Sequence, residues 1–170
     1  MASSPHSEES NLLYRYVTMR AIPNDSTLSD SVFATGVKSM SDDPVKVLVI
    51  EDDEYSRDAL AHLLSAEGYN AVSASDGETG YARAKEINPD IIVLDLSLPG
   101  IDGRQVINMV RHDSDLKSVP ILIITGQDDS VAKSTLDLGA DAYLTKPIEF
   151  DDLTKTISDL NKRSSAAHLI

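Results

Sequence analysis

Asp90-Ile91-Ile92-Val93-Leu94-Asp95-Leu96-Ser97-Leu98-Pro99-Gly100 is the stretch that decides the fold. Four apolar residues in a row fit a strand covered on both faces, as in a parallel sheet with helices on either side. The run stops on a carboxylate, Asp95, and gives way to a Pro-Gly turn. In open parallel sheets, ligands collect beyond the carboxyl ends of the strands, so Asp95 stands where such proteins put their chemistry. A second run, Val45 to Ile50, also ends in acid, at Glu51-Asp52-Asp53-Glu54. Two strands delivering carboxylates to one edge make a pocket for a hard cation.

Outward from these two strands, strand-like and helix-like patterns alternate five times from Pro44 onward, which gives an α/β class with a parallel sheet. After the first strand, Ala59, Leu60, Leu63 and Leu64 share one face of a helix, and Gly68 follows as a stop in the left-handed conformation. Asn70 to Ala74 is a shorter second strand. Asp76 reads as an N-cap, because Tyr81, Ala84, Lys85 and Ile87 continue with helical spacing beyond it, and Asn88-Pro89 ends that helix. Asp102 caps a helix carrying Val106, Ile107 and Val110, and Pro120 introduces the fourth strand, Ile121 to Ile124. A fourth helix is expected from about Ser130 to Leu138, ended by Gly139, then a fifth strand over Ala142 to Leu144. The last helix begins at Asp151 and turns Leu153, Ile157 and Leu160 to one side.

These elements occupy residues 45–162, and residues 163–170 read as a loose tail. Residues 1–44 are a different kind of sequence, Ser-rich and mostly disordered by composition, closed by the linker Ser41-Asp42-Asp43-Pro44. Within them Leu12, Leu13, Tyr16 and Val17 fall at helical spacing, so a short amphipathic helix near 11–20 is one reading. Met40 offers an alternative start.

A chain of 170 residues is long enough for one core and an extension, and short for two cores. A net charge of −13 without clustered Lys or Arg argues against direct nucleic-acid contact. The absence of cysteine removes disulfides, thiolate catalysis and Cys-ligated metals, and suits a reducing cytoplasm. No stretch approaches the roughly 20 apolar residues that span a bilayer, and the amino terminus lacks the pattern of a signal peptide, so no membrane insertion is expected. His6, His62, His112 and His168 are scattered, and His62 and His112 read as helix-surface residues.

The strand ends supply Glu51 and Asp52, Asp95, Thr125 and Lys146. Together Ile50-Glu51-Asp52, Val93-Leu94-Asp95-Leu96-Ser97-Leu98-Pro99-Gly100-Ile101-Asp102-Gly103, Ile123-Ile124-Thr125-Gly126 and Tyr143-Leu144-Thr145-Lys146-Pro147 resemble the receiver domain of two-component response regulators. The resemblance covers nearly all of residues 45–162. It implies a flavodoxin-like sheet of five parallel strands in the order 2-1-3-4-5, flanked by helices on both faces; a chemotaxis receiver is a standard example of that order. It also implies a Mg2+ (or Mn2+) site, with Asp52 and Asp95 as direct ligands, the Ser97 backbone carbonyl as a third and Glu51 acting partly through water. Asp95 is then the phosphoacceptor, Lys146 and Thr125 contact the phosphoryl oxygens, and a backbone N–H of Ser97 or Gly126 serves the rest. The Lys146-Pro147 peptide is cis in the family. Thr125 and Tyr143 form its switch, while Ser97 and Gln127 sit where the family tunes the access of hydrolytic water.

By the same resemblance, the partners are a sensor histidine kinase or histidine phosphotransfer protein and a downstream protein target, with a homodimer through the fourth helix, fifth strand and fifth helix as a further contact. With no output domain evident after the last helix, the chain reads as a stand-alone phosphoacceptor that catalyses only its own phosphorylation and dephosphorylation. Two other readings compete. A pseudo-receiver would bind partners without taking phosphate, against which the intact set Glu51, Asp52, Asp95, Thr125 and Lys146 speaks. An aspartate-nucleophile hydrolase would carry a second Asp two residues after the nucleophile, where this chain has Ser97. Structural roles are also open to single residues: Asp53 as a helix cap, and Tyr143 as a half-buried strand aromatic.

Overall fold

Apolar runs of four or five residues separated by capped amphipathic segments fold into alternating strands and helices. In the computed structural model, which describes residues 43–167, these are β1 (Lys46–Ile50), α1 (Glu54–Ala66), β2 (Asn70–Ala74), α2 (Gly77–Ile87), β3 (Ile91–Asp95), α3 (Gly103–His112), β4 (Ile121–Thr125), α4 (Asp129–Ser134), β5 (Ala142–Thr145) and α5 (Phe150–Ala167). The strands form one parallel sheet in the order β2-β1-β3-β4-β5, as the resemblance implies. The short helix considered near 11–20, the extension of which it is part, Met40, His6 and His168 lie outside the described residues.

Strand side chains alternate between two cores. Leu48, Ile50, Ile92, Leu94, Ile121 and Ile123 face one side and pack with Ala84 of α2 and Val106, Ile107 and Val110 of α3. Val47, Val49, Ile91, Val93, Leu122 and Ile124 face the other, against Leu60 and Leu64 of α1 and Leu153, Ile157 and Leu160 of α5. Helices therefore cover both faces, and every residue of β3 and β4 is buried. At roughly 1.5–3 kcal/mol per buried large aliphatic side chain, these two layers drive folding.

The caps fall where short polar side chains can satisfy free backbone N–H groups. Asp53 accepts from Ser56 N at 2.8 Å, and Asp76 accepts from Thr79 N at 2.8 Å. Asp102 and Gln105 form a reciprocal capping box at the start of α3. Gly68 has φ +88° after α1, the left-handed stop expected there.

Two boundaries differ from the sequence reading. The fourth helix is Asp129–Ser134, shorter than the expected run to Leu138. The Thr135 hydroxyl is buried and donates to Ala132 O at 2.6 Å, and backbone bonding then shifts to three-residue turns, Leu136 N to Lys133 O and Gly139 N to Leu136 O, both 3.1 Å. Local hydroxyl bonds of this kind compete with helix propagation, and Leu136 and Leu138 are left exposed. The last helix, by contrast, continues to Ala167, past the Arg163 boundary at which a tail was expected. Ser164 to Ala167 contain neither Gly nor Pro, and alanine is the strongest helix former.

Candidate functional site

Parallel strands in register end at one rim, and β1, β3, β4 and β5 there deliver Glu51, Asp95, Thr125 and Lys146. Pairing of Asp95 with Ile124 and of Thr125 with Thr145 fixes their levels. The first turn of α3 seats directly against this rim. A Cβ at Gly103 would lie 2.5 Å from the Asp95 carbonyl oxygen and 2.7 Å from Leu96 Cα, so only glycine permits the approach.

Asp95 is buried, with 5 % of its surface exposed, yet both carboxylate oxygens are engaged. Oδ1 accepts from Ser97 N at 2.9 Å, and Oδ2 accepts from Lys146 Nζ at 2.8 Å. The same ammonium donates to Glu51 Oε2 at 2.8 Å. Glu51 is equally buried, and Asp53 N donates to its Oε1 at 3.3 Å. Asp52 stands exposed at the mouth. Carboxylate oxygens of Glu51, Asp52 and Asp95 lie within 4.8 Å of one another.

One ammonium among three acids leaves the pocket short of positive charge. Burial pushes the Glu51 carboxyl up to about 7; Lys146 opposes that shift and Asp95 adds to it. Burial alone would lower Lys146, but the Glu51 and Asp95 carboxylates outweigh it and hold the ammonium above its ordinary value. Two carboxylates a few ångströms apart repel by about 4 kcal/mol at an effective dielectric near 20, so a second cation would be stabilising here. The donors are carboxylate oxygens, the hard kind that Mg2+ takes alongside water or a phosphoryl oxygen. The residues present therefore fit that ion.

Thr125 is fully buried; its Oγ1 accepts from Gln127 N at 3.2 Å, and its carbonyl accepts from Lys146 N at 2.8 Å. Gly126 is exposed beside it, with no atom within 4 Å of where a Cβ would stand. Ser97 is exposed, and its hydroxyl accepts from Gln127 Nε2 at 3.0 Å. The Lys146-Pro147 peptide is cis. Tyr143, two residues before Thr145 on β5, projects from the same face as Thr125 and packs on the first core. Burial, followed by a hydrogen bond to Asp129 at the start of α4, raises its phenol.

Glu51, Asp52, Asp95, Ser97, Thr125, Gly126, Gln127 and Lys146 thus sit at this rim, with Tyr143 two residues before the end of β5. Two that periodicity did not reveal hold the loops. Arg57 Nη1 donates to the carbonyls of Glu51 at 2.9 Å and Asp52 at 3.1 Å, bracing the acidic loop from α1. Arg104 Nη2 donates to Gln127 Oε1 at 3.2 Å. His62 and His112 instead bond the carbonyls of Asp58 and Asn108 within their own helices, away from the rim.

Comparison with known proteins gives one family throughout. The model of the response regulator receiver domain matches residues 47–158. Among curated relatives, the sensory transduction protein RegX3 of Mycolicibacterium smegmatis is 38% identical over 120 residues, covering 70% of this chain and 51% of its own length. The alkaline phosphatase synthesis transcriptional regulatory protein PhoP of Bacillus subtilis is 37% identical over 123 residues, covering 72% and 50%. The chain spans about half the length of these relatives. Among solved structures, a putative response regulator from Chloroflexus aurantiacus superposes with a TM-score of 0.68 at 31% identity, over 71% of this chain and 99% of that one. The chemotaxis response regulator CheY4 of Vibrio cholerae gives 0.66 at 29% identity, over 69% and 99%.

Proposed function

This chain belongs to the response regulator receiver domain family, and from that premise we propose that it takes a phosphoryl group onto Asp95 and passes the event to a partner through its surface. The observation that carries the reading is the Asp95 carboxylate itself. It is buried, it is 2.8 Å from the Lys146 ammonium, and it shares its pocket with Glu51 and Asp52.

An Asp95 oxygen attacks the phosphorus of a phosphohistidine on a sensor kinase or phosphotransfer protein. The new P–O bond forms as the P–N bond breaks, and the electron pair returns to the imidazole nitrogen. Little covalent assistance is needed beyond holding the reactants in line and balancing charge. Lys146 supplies a compact cation with three donors for the phosphoryl oxygens, and Thr125 supplies a hydroxyl. A Mg2+ (or Mn2+) ion would be held by Asp52, Asp95 and the Ser97 carbonyl, with Glu51 acting partly through water, and would supply the remaining positive charge. Ser97 N, already aimed at Asp95 Oδ1, serves as a further donor.

Thr125 also begins the output. Drawn toward the phosphoryl group, it vacates space on the face it shares with Tyr143, and the ring turns inward from Asp129. The surface remodelled is that of α4, β5 and α5, which meets a downstream protein target or a second copy. A kinase donor puts the chain in the cytoplasm, and none of the described helices is long and apolar enough to cross a membrane. The only chemistry in this reading is the chain's own phosphorylation and dephosphorylation.

Intact-mass measurement after incubation with a small phosphodonor and Mg2+ tests it. Wild type should gain one phosphate and Asp95→Asn none. An adduct of equal size in the variant would move the acceptor elsewhere, no adduct in either would make the chain a binding module, and steady turnover of phosphate esters would make it a hydrolase.

A further inference from the structure

Three hydrogen bonds, with the β3–β4 pairing that sets Asp95 beside Ile124, close a ring at the rim. Ser97 N donates to Asp95 Oδ1 at 2.9 Å, Gln127 Nε2 donates to Ser97 Oγ at 3.0 Å, and Gln127 N donates to Thr125 Oγ1 at 3.2 Å. The Gln127 side chain is the member that crosses between the two loops. A glutamine side chain held in one pose gives up much of its rotamer entropy, and a single bond donated to an exposed serine scarcely offsets that.

Arg104 makes up the difference. Its Nη2 donates to Gln127 Oε1 at 3.2 Å, while Nη1 lies 3.5 Å from Asp102 Oδ2, the carboxylate that caps α3. Both ends of the carboxamide are thereby engaged. A neutral carboxamide is too weak a base to take a water's proton, so pinned there it can cover the mouth but not activate a nucleophile beneath it. The base of Arg104 is equally fixed, because Gly103 seats the first turn of α3 against Asp95 and Leu96.

We propose that Arg104 is a positioning residue that holds the Gln127 carboxamide across the pocket mouth and so shields a phosphoryl group on Asp95 from water. The proposal rests on the phosphoacceptor reading above. The reaction it slows is attack of a water oxygen on phosphorus: the bond from phosphorus to the Asp95 oxygen breaks, its electron pair returns to the carboxylate, the water gives up a proton to solvent, and inorganic phosphate leaves. Arg104 touches none of these atoms. It acts through Gln127.

Phosphorylated protein is freed of excess small phosphodonor by gel filtration in Mg2+ buffer, and loss of the adduct is followed by intact mass, with the initial rate of formation measured separately. Arg104→Ala should speed loss by about three- to tenfold, the rate equivalent of one hydrogen bond's net worth, and change formation by less. Gln127→Ala should do the same. The double variant should lose phosphate no faster than Gln127→Ala alone, since both changes open one strap, and Arg104→Lys should recover part of the wild-type lifetime. Loss within twofold of wild type in Arg104→Ala, or effects that multiply in the double variant, would overturn the proposal. So would formation and loss that change by one common factor, the mark of a generally disturbed fold. If wild type takes up no phosphate at all, the phosphoacceptor reading itself fails. The strap then stands or falls separately on the Gln127 side-chain NH2 resonances, which should be shifted in wild type and return to free-glutamine values in Arg104→Ala.

Discussion

Two lysine–carboxylate assemblies in this molecule use the same groups to opposite effect. At the seam of α2 and α3, Asp113 is met by Lys85 Nζ at 3.2 Å and by the Tyr81 hydroxyl at 2.8 Å. At the rim, Lys146 is shared by Glu51 and Asp95, with Asp52 beside them. The Tyr81 hydrogen bond first, then the Asp115 N–H and Lys85, hold Asp113 down to about 2. Burial drives Glu51 the other way. One acid with several donors is a finished joint, whereas three acids with one ammonium call for another cation. The ratio of donors to carboxylates separates a fastening from a pocket still short of positive charge.

The largest break in that contrast should come from Lys146→Met. Removing the ammonium leaves two buried carboxylates facing each other, and a loss of about 3–5 kcal/mol in unfolding free energy is expected by chemical denaturation without metal. A loss no larger than that of Lys85→Met at the α2–α3 seam would mean that the rim is not electrostatically strained. Asp95→Asn should act in the opposite sense, raising the melting temperature of the metal-free protein, because it removes one of the repelling charges at a cost of one hydrogen-bond partner. Mg2+ should then stabilise wild type and have much less effect on the variant. Equal responses to Mg2+ would detach the acid cluster from metal binding.

The smallest effect sharpens the seam. Asp113 has a folded value below its ordinary 3.8, so the stability it contributes is fully present above about pH 4 and fades as pH falls toward 2. Thermal melts between pH 2 and 5 should show a shallower acid decline in Tyr81→Phe than in wild type. Identical slopes would show that the tyrosine does not set the Asp113 value.

The alternation of strands and helices was readable because β1, β3 and β4 are unbroken apolar runs, while the strand order came with the resemblance; the caps Asp76 and Asp102 were readable from the helical spacing beyond them, and Asp53 stayed open between a cap and the acid cluster. The levels of Glu51, Asp95, Thr125 and Lys146 follow from strands that end together. What sequence could not supply was reach. Arg57 and Arg104 act through long side chains that cross from one loop to another, and no periodicity records where a guanidinium lands. Glu51 was expected to act partly through water on a metal, and its direct bond to Lys146 depends on a separation of 95 residues closed only by the fold. The early end of α4 likewise turns on the burial of one hydroxyl, Thr135, in a stretch whose apolar spacing still reads as helix.

The seat of α3 on the end of β3 leaves no clearance at Gly103, where even a methyl would meet the Asp95 carbonyl. Floor and lintel of the cleft are in that sense a single casting: a push on the first turn of α3 from outside is delivered to the backbone of Asp95, and a tug on Asp95 from within is felt at Arg104 one residue beyond the contact.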